Sequence, residues 1–290
     1  MEMRLARRED RCELRALWQE CFGDPRAYID FFYQRRFASI YVPVLTDENG
    51  KIVAMVHMLP CELESDDRYG KNQKGTNAYY LYAVGVTRAW RGQGAMRTLL
   101  STIIDKCQKK SIALALSPVD EKLIPYYESY GFRVTGGYHH GFFDRSELES
   151  QGGGVFWQKC GYTTYFLVRS MLMTLCGVPR LQFPISGVGY ALRENSYFGG
   201  CALYSSVGDC ALVQKKGRHL VVREFCVCDS ELAGVRARLG TLLDFFGATS
   251  CEVRSNLAFS PKLQRVHALM TNVPLTFMGQ DFAYANLLLD

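Results

Sequence analysis

Apolar and polar positions along this chain follow two periods, and the switches between them lay out its first half. MRLARRED reads as a short strand, and CELRALWQECFG places Leu14, Leu17, Trp18 and Cys21 at helical spacing before Gly23 and Pro25 end the run. AYIDFFYQRRF predicts a second helix. SIYVPVLTDENGKIVAMVHMLPCEL predicts two strands folded about Glu48, Asn49 and Gly50. A charged loop, ESDDRYGKNQKGT, leads to the strand NAYYLYAVGV. After a glycine-containing loop, MRTLLSTIIDKCQKK carries Leu99, Leu100, Ile103, Ile104 and Cys107 on one helical stripe. SIALALSP is apolar throughout, the mark of a strand buried on both faces. PYYESYGF predicts a short helix stopped by Gly131, and YHHGFFDR a closing strand.

The pattern breaks at SELESQGGGVF, where Gly152, Gly153 and Gly154 give the strongest linker signal of the chain. Two domains are expected, residues 1–150 and 151–290. Beyond the break, an apolar helix from Tyr165 to Cys176 precedes three strand-like runs, GGCALYSS, DCALVQKK and HLVVREFCVC. The helix ELAGVRARLGTLLDFFG and the strand TSCEVRSN follow. Strands, helix and strand thus recur in the order of the first half, without a repeat of its residues.

Composition narrows the class. The 290 residues are 48% hydrophobic, enough for sizeable cores and, by length, for about two domains. The net charge of +5, from 34 basic against 29 acidic residues, is scattered and lacks the concentrated footprint of a nucleic-acid partner. There are 11 cysteines and no C-x-x-C, and the five histidines offer no ligand spacing, so no metal is expected. Buried free thiols in a reducing compartment account for the cysteines. Cys226 and Cys228, two apart in a predicted strand, are expected on one face. The first residues, MEMRLARREDRCELR, have no apolar stretch of the signal-peptide kind. YFLVRSMLMTLCGV is too short to span a bilayer and contains Arg169. A soluble, cytoplasmic protein without a membrane partner is the expectation.

The stretch VGVTRAWRGQGAMRTLLSTIID concentrates the chemistry. Val84 and Val86 can offer amide N–H groups where the strand splays from its neighbour. Arg91, Gly92, Gln93, Gly94 and Ala95 can wrap a tight turn, because glycine tolerates the φ angles required. The helix opening near Met96 then presents unsatisfied amides and the positive end of its dipole, a pyrophosphate site. The spacing is neither a P-loop nor a dinucleotide fingerprint. A plain strand-to-helix turn with surface arginines is the alternative.

The order strand, R-x-x-G-x loop, amphipathic helix, buried strand and Y-Y-E-x-Y-G-F resembles the GNAT superfamily of acetyl-CoA-dependent N-acetyltransferases over residues 1 to about 145. The family's R/Q-x-x-G-x-G/A loop falls on Arg91–Met96, and its F-Y-E-x-x-G-F segment on Tyr126–Phe132. Met96 stands where the family has Gly or Ala, a change similar to the branch of enhanced-intracellular-survival acetyltransferases. In that branch a second GNAT-like domain follows the catalytic one, and a sterol-carrier-like domain follows that. This chain is too short for all three, so the terminal-carboxylate role of that branch is not carried over to Asp290.

The resemblance implies an α/β (α+β) fold of tandem GNAT-like mixed sheets flanked by helices, with a catalytic N-terminal copy and a degenerate C-terminal copy. It implies acetyl-CoA as co-substrate, its pyrophosphate on the amides of Arg91, Gly92, Gln93, Gly94, Ala95 and Met96 and its pantetheine arm along Val84 and Val86. An N–H of that strand would stabilise the oxyanion formed as an amine attacks. Tyr127 falls where the family keeps its general acid, with ordinary core packing as the alternative. Asp120 replaces a frequent family asparagine, which weakens a coenzyme contact there. Glu62, Glu64, Asp66 and Asp67 form a solvated acidic loop or attract a cationic amine; no base is identified. Tyr79, Tyr80 and Tyr82 divide between core and pocket wall. The second half lacks the glycine loop, with Asp229 or Ser230 as an ordinary helix cap; it shapes or closes the substrate site, unless it is a sterol-carrier-like sheet. The implied activity is N-acetylation of a small-molecule or peptide amine by direct attack in a ternary complex. The alternative is a non-catalytic acyl-CoA sensor, for which Met96 leaves room. A nucleic-acid adaptor would rest on the pI of about 8.6 alone.

Overall fold

The computed structural model describes residues 1–37, 40–64, 75–148, 154–177, 179–228, 232–273 and 283–285. The linker glycines Gly152 and Gly153, the acidic residues Asp66 and Asp67, the cap residues Asp229 and Ser230, and Asp290 lie outside them.

The chain divides into two compact units, which do not follow a single cut after residue 150. One holds Met1–Leu63, Gly75–Arg133 and a short segment that begins at Met270; the other holds Val134–Leu269 and, of the remaining described residues, Glu64 and 283–285.

In the first unit the predicted elements appear in order: β1 (Glu2–Leu5), α1 (Arg11–Phe22), α2 (Arg26–Arg36), β2 (Pro43–Thr46), β3 (Ile52–Glu64), β4 (Thr76–Val86), α3 (Ala95–Gln108), β5 (Ala113–Leu116) and α4 (Ile124–Glu128). Gly23 caps α1 at φ 73°, in the left-handed conformation that glycine tolerates. Strands β1 to β4 are antiparallel neighbours, and β5 lies parallel to β4 after the α3 crossover. All four β5 residues are buried, as their unbroken apolar run requires. Leu99, Leu100, Ile103 and Cys107 turn the buried face of α3 inward.

The strand beside β5 is not the predicted closing strand. Met270 and Thr271 pair antiparallel with Leu116 and Ala115. The closing strand is β6 (Arg133–Asp144), and it lies in the second unit. There it is followed by β7 (Trp157–Cys160), α5 (Tyr162–Cys176), β8 (Arg180–Gln182), α6 (Ile185–Tyr197), β9 (Gly200–Ser205), β10 (Cys210–Lys216), β11 (His219–Cys226), α7 (Leu232–Phe246), β12 (Ser250–Ser255), β13 (Gln264–Thr271) and β14 (Ala283–Tyr284). Strands β7, β9, β10 and β11 are antiparallel neighbours; β12 lies parallel to β11 after the α7 crossover and antiparallel to β6. The second unit therefore repeats the connectivity of the first, strand, two helices, three strands, helix, parallel strand, with β8 interposed. Val235, Leu239, Leu242 and Leu243 recur at helical spacing and pack α7 onto its core.

Candidate active site

The end of β4 is built to open. Its pairing with β5 stops at Leu81 and Leu116, beyond which the two parallel strands diverge. On the other edge, Gly85 faces Met55 and Tyr82 faces His57, so Ala83 and Val84 together stand opposite Val56 in a β-bulge. Ala83 takes φ 46°, a left-handed conformation costly for a residue with a Cβ. Beyond the bulge, the Thr87 N–H donates to Val53 O at 2.9 Å, which makes Ala54 and Val86 a non-hydrogen-bonded pair. Val86 therefore turns its N–H and C=O away from β3, toward the side where β5 has diverged, and Val84 lies in the bulge itself.

The loop after β4 is tied down by side chains and leaves its amides bare. Arg91 Nε donates to Val86 O at 3.2 Å, and the Cys21 thiol donates to the same oxygen at 3.3 Å. Gln93 Nε2 donates to Ala89 O at 2.6 Å. Gly92 and Gly94 take φ 74° and 79°, with open space where a Cβ would stand. Gly94 is the N-cap of α3 and brings no side-chain acceptor. The first helical donor is the Thr98 N–H, which bonds Gly94 O at 3.0 Å. Among the described residues, the amides of Gly92, Gly94, Ala95, Met96 and Arg97 consequently have no partner. Five bare donors at a helix N-terminus fit a pyrophosphate. Ala95 is buried and Met96 half-buried, so the bulky residue at the family's small position packs partly inward.

Tyr127 comes from α4, where Pro125 stands in the first turn and Gly131, at φ 85°, lies beyond the end. Its side chain is 8% exposed and rests edge-on against Phe132 and Tyr126. Its hydroxyl bonds none of the described residues. Burial, and then the neighbouring Tyr130, push its pKa upward, so the phenol keeps its proton. Tyr126 and Tyr130 instead pair their hydroxyls with each other at 3.2 Å. Asp120 caps the turn ahead of α4 by accepting from the Lys122 N–H at 2.9 Å.

A family model described as Acetyltransferase (GNAT) domain matches residues 2–135, the span that contains this strand, loop and tyrosine. Residues 2–135 are thus similar to a GNAT domain. No curated protein matches the chain in sequence. Solved structures share its fold: a conserved protein of unknown function from Enterococcus faecalis V583, at 12% identity and TM-score 0.75, covers 93% of this chain and 72% of its own. A GCN5-related N-acetyltransferase from Kribbella flavida gives 16% identity and TM-score 0.70, covering 93% of this chain and 70% of its own. Eis1 from Mycobacterium abscessus gives 10% identity and TM-score 0.69, covering 94% and 74%. At these identities the likeness is one of fold.

Behind the bulge of β4 lies a polar-aromatic cluster that sequence reasoning did not single out. His57 is fully buried, with Tyr33 Oη 2.8 Å from its Nε2 and the rings of Trp18, Phe32 and Tyr33 around it. Burial pushes its imidazole down to about 3, against a smaller opposing pull from the Ala83 backbone. Burial thus keeps His57 neutral in the folded unit. The signal was one polar residue within the apolar run IVAMVHML. Tyr80 is buried, whereas Tyr82 is half-buried and its hydroxyl lies 3.2 Å from that of Tyr28. Cys21 was read only as a helix-face residue; Gly85 lets it approach, since a Cβ there would stand 2.9 Å from its sulfur.

Glu64 forms an ion pair with the buried Arg180 of the second unit, and Glu62 is exposed. In the second unit, β11 occupies the place of β4 and carries its own extra residue, Arg223, opposite β10. The neighbouring Glu224 is completely buried and accepts from Tyr165 Oη at 2.6 Å, Tyr284 Oη at 2.9 Å and Arg169 Nε at 3.1 Å. A carboxylate with three donors fills the position that in the first unit opens onto the diverging strands.

Proposed function

We propose that the GNAT domain transfers an acetyl group from acetyl-CoA to a primary amine by direct attack in a ternary complex. The observation that carries this reading is the row of unpartnered amides from Gly92 to Arg97, placed directly after a strand end that has parted from its neighbour. Acetyl-CoA supplies the activated acyl group. The amides of Gly92, Gly94, Ala95 and Met96 bind its pyrophosphate, and Arg91 and Gln93 hold their loop in place through Val86 O and Ala89 O. Val86 offers an N–H toward the acyl-carrying arm, and the bulge at Val84 directs a backbone donor to charge developing on the carbonyl oxygen. Tyr127 keeps a proton for the departing sulfur.

Direct attack is favoured over an acyl-cysteine route by Cys21, the thiol bonded at the site. Burial raises its pKa and its proton is engaged by Val86 O, so it is a poor nucleophile. The test is turnover: acetyl-CoA is mixed with a panel of primary amines and free thiol is read as it forms, with the acetylated amine identified by mass. Thiol release that depends on an amine is expected. Tight acetyl-CoA binding without release across the panel would make the domain a sensor.

A further inference from the structure

The second unit holds two pairs of facing thiols that the transfer reaction does not use. Cys210 and Cys226 stand directly opposite each other on β10 and β11, both buried. Cys226 also meets Tyr284 Oη at 3.6 Å. The other pair is placed differently. Cys176 is the last residue of α5; its sulfur lies 3.6 Å from Val227 O, next to residue 228, and burial and then the neighbouring Cys228 thiol raise its pKa. Cys228 is exposed and Cys176 half-exposed. Cys228 also lies beyond the end of β11 at Cys226, so the two cysteines expected on one strand face belong to two separate pairs.

The arrangement follows from how α5 runs along β11. Tyr165 and Arg169 bond Glu224 from one helix face, and Cys176 lies farther along that face. Seven residues of helix from Arg169 advance about 10 Å, and four residues of extended chain from Glu224 advance about 13 Å. Helix and strand therefore keep step and bring Cys176 to residue 228. Val227 is pinned there, its N–H donating to Asn256 Oδ1 at 3.0 Å and its O accepting from Asn256 Nδ2 at 2.9 Å.

We propose that Cys176 and Cys228 are a modification site, a dithiol that closes to a disulfide by exchange with a low-molecular-weight disulfide of the glutathione type. Cys228, the exposed partner, attacks one sulfur of that disulfide as the thiolate; a mixed disulfide forms and the first small thiol leaves. Cys176 then attacks Cys228 Sγ and gives up its proton as the second small thiol leaves. Two protein thiols and one small disulfide become one protein disulfide and two small thiols. The bond staples the end of α5 to the end of β11. Cys210 and Cys226 also face each other but are buried away from the reagent, so they serve as an internal control.

The reduced full-length chain is incubated with oxidised glutathione, free thiols are alkylated, and the protein is digested without reduction for mass spectrometry. The expected result is a linked pair of peptides carrying Cys176 and Cys228, reversed by dithiothreitol, with Cys210 and Cys226 alkylated only after unfolding. The Cys176→Ser chain is expected to stop at a glutathione adduct on Cys228. The linked wild-type protein is expected to melt several degrees higher than the reduced one. A glutathione adduct that persists on Cys228 in the wild-type chain would overturn the proposal, as would links through Cys210 or Cys226 in equal yield, or no reaction at all.

Discussion

Arg91 Nε donates to the carbonyl of Val86 at 3.2 Å, and so fastens the glycine loop to the last residue of β4. The hydrogen bond joins the two regions that the proposed transfer would use together, the amides for a pyrophosphate and the strand end for the acyl-carrying arm. A charge-assisted bond of this kind is worth about 1.5–3 kcal/mol when fully formed, less at an exposed site. Arg91→Ala is therefore expected to raise the KM for acetyl-CoA by about tenfold, with little change in Tm. Steady-state kinetics at saturating amine measure it; an unchanged KM would show that the loop keeps its shape unaided.

Gly94→Val tests the loop conformation itself. At φ 79° a β-branched residue is strained, although nothing crowds its Cβ. The cost is one of conformation, and relief of it would turn the amides of Ala95 and Met96 away from their common target. The expected outcome is a KM for acetyl-CoA raised more than tenfold and a loss of stability of about 1–2 kcal/mol. Wild-type kinetics would place the pyrophosphate elsewhere.

His57 gives the first unit an acid-sensitive support. Its folded pKa is depressed to about 3 by burial, below the unfolded value of about 6.5. As pH falls, the unfolded chain takes up this proton first. The stability is complete above about pH 6.5 and is lost as pH drops toward about 3, at no more than about 1.4 kcal/mol per pH unit. Urea midpoints measured between pH 7 and 4 should fall less steeply in His57→Gln than in the wild type. Equal slopes would mean that His57 does not stay neutral in the folded protein.

Glu224 and Arg169 make the second unit sensitive to loss of either partner. Both are essentially fully buried, and removing one strands the other's charge. Arg169→Met is expected to destabilise that unit by about 3–5 kcal/mol. Adding Glu224→Leu to it should restore much of the loss, because neither member of the pair is then left as a buried charge without its partner. Denaturation of the two variants side by side decides this: a double variant less stable than Arg169→Met would contradict it.

What could be read from the sequence was what is local. The run from Thr76 to Gln108 revealed its strand, loop and helix because each boundary has its own marker, down to Gly92 and Gly94 at positive φ. The short helix with Tyr127 was legible for the same reason. Long-range pairing was not. Nothing in YHHGFFDR shows that it passes to the second unit, or that Met270 and Thr271 take the place beside β5. Gly136 and Gly137 were the missed clue: a Cβ on them would stand 2.0 Å from Ala283 O and 1.8 Å from Val266 O, so two backbones pass close to β6. Helix α6 went unseen because Gly187 and Gly189 interrupt its apolar stripe, where Phe183 and Tyr162 pack against the helix. The ion pair of Glu64 was not legible because its partner, Arg180, is remote in sequence.

Tyr127→Phe tests the transfer mechanism most directly. The substitution keeps the ring that packs on Phe132 and removes only the hydroxyl, which bonds none of the described residues. Tyr126→Phe and Tyr130→Phe are the controls, since they remove one partner of the neighbouring hydroxyl pair and leave the proton path alone. With the amine saturating, kcat of Tyr127→Phe is expected to fall by about 10²–10⁴-fold, with acetyl-CoA affinity nearly unchanged and both controls close to wild type. Full activity in Tyr127→Phe, or an equal loss in all three variants, would contradict the assignment of Tyr127 as the proton donor.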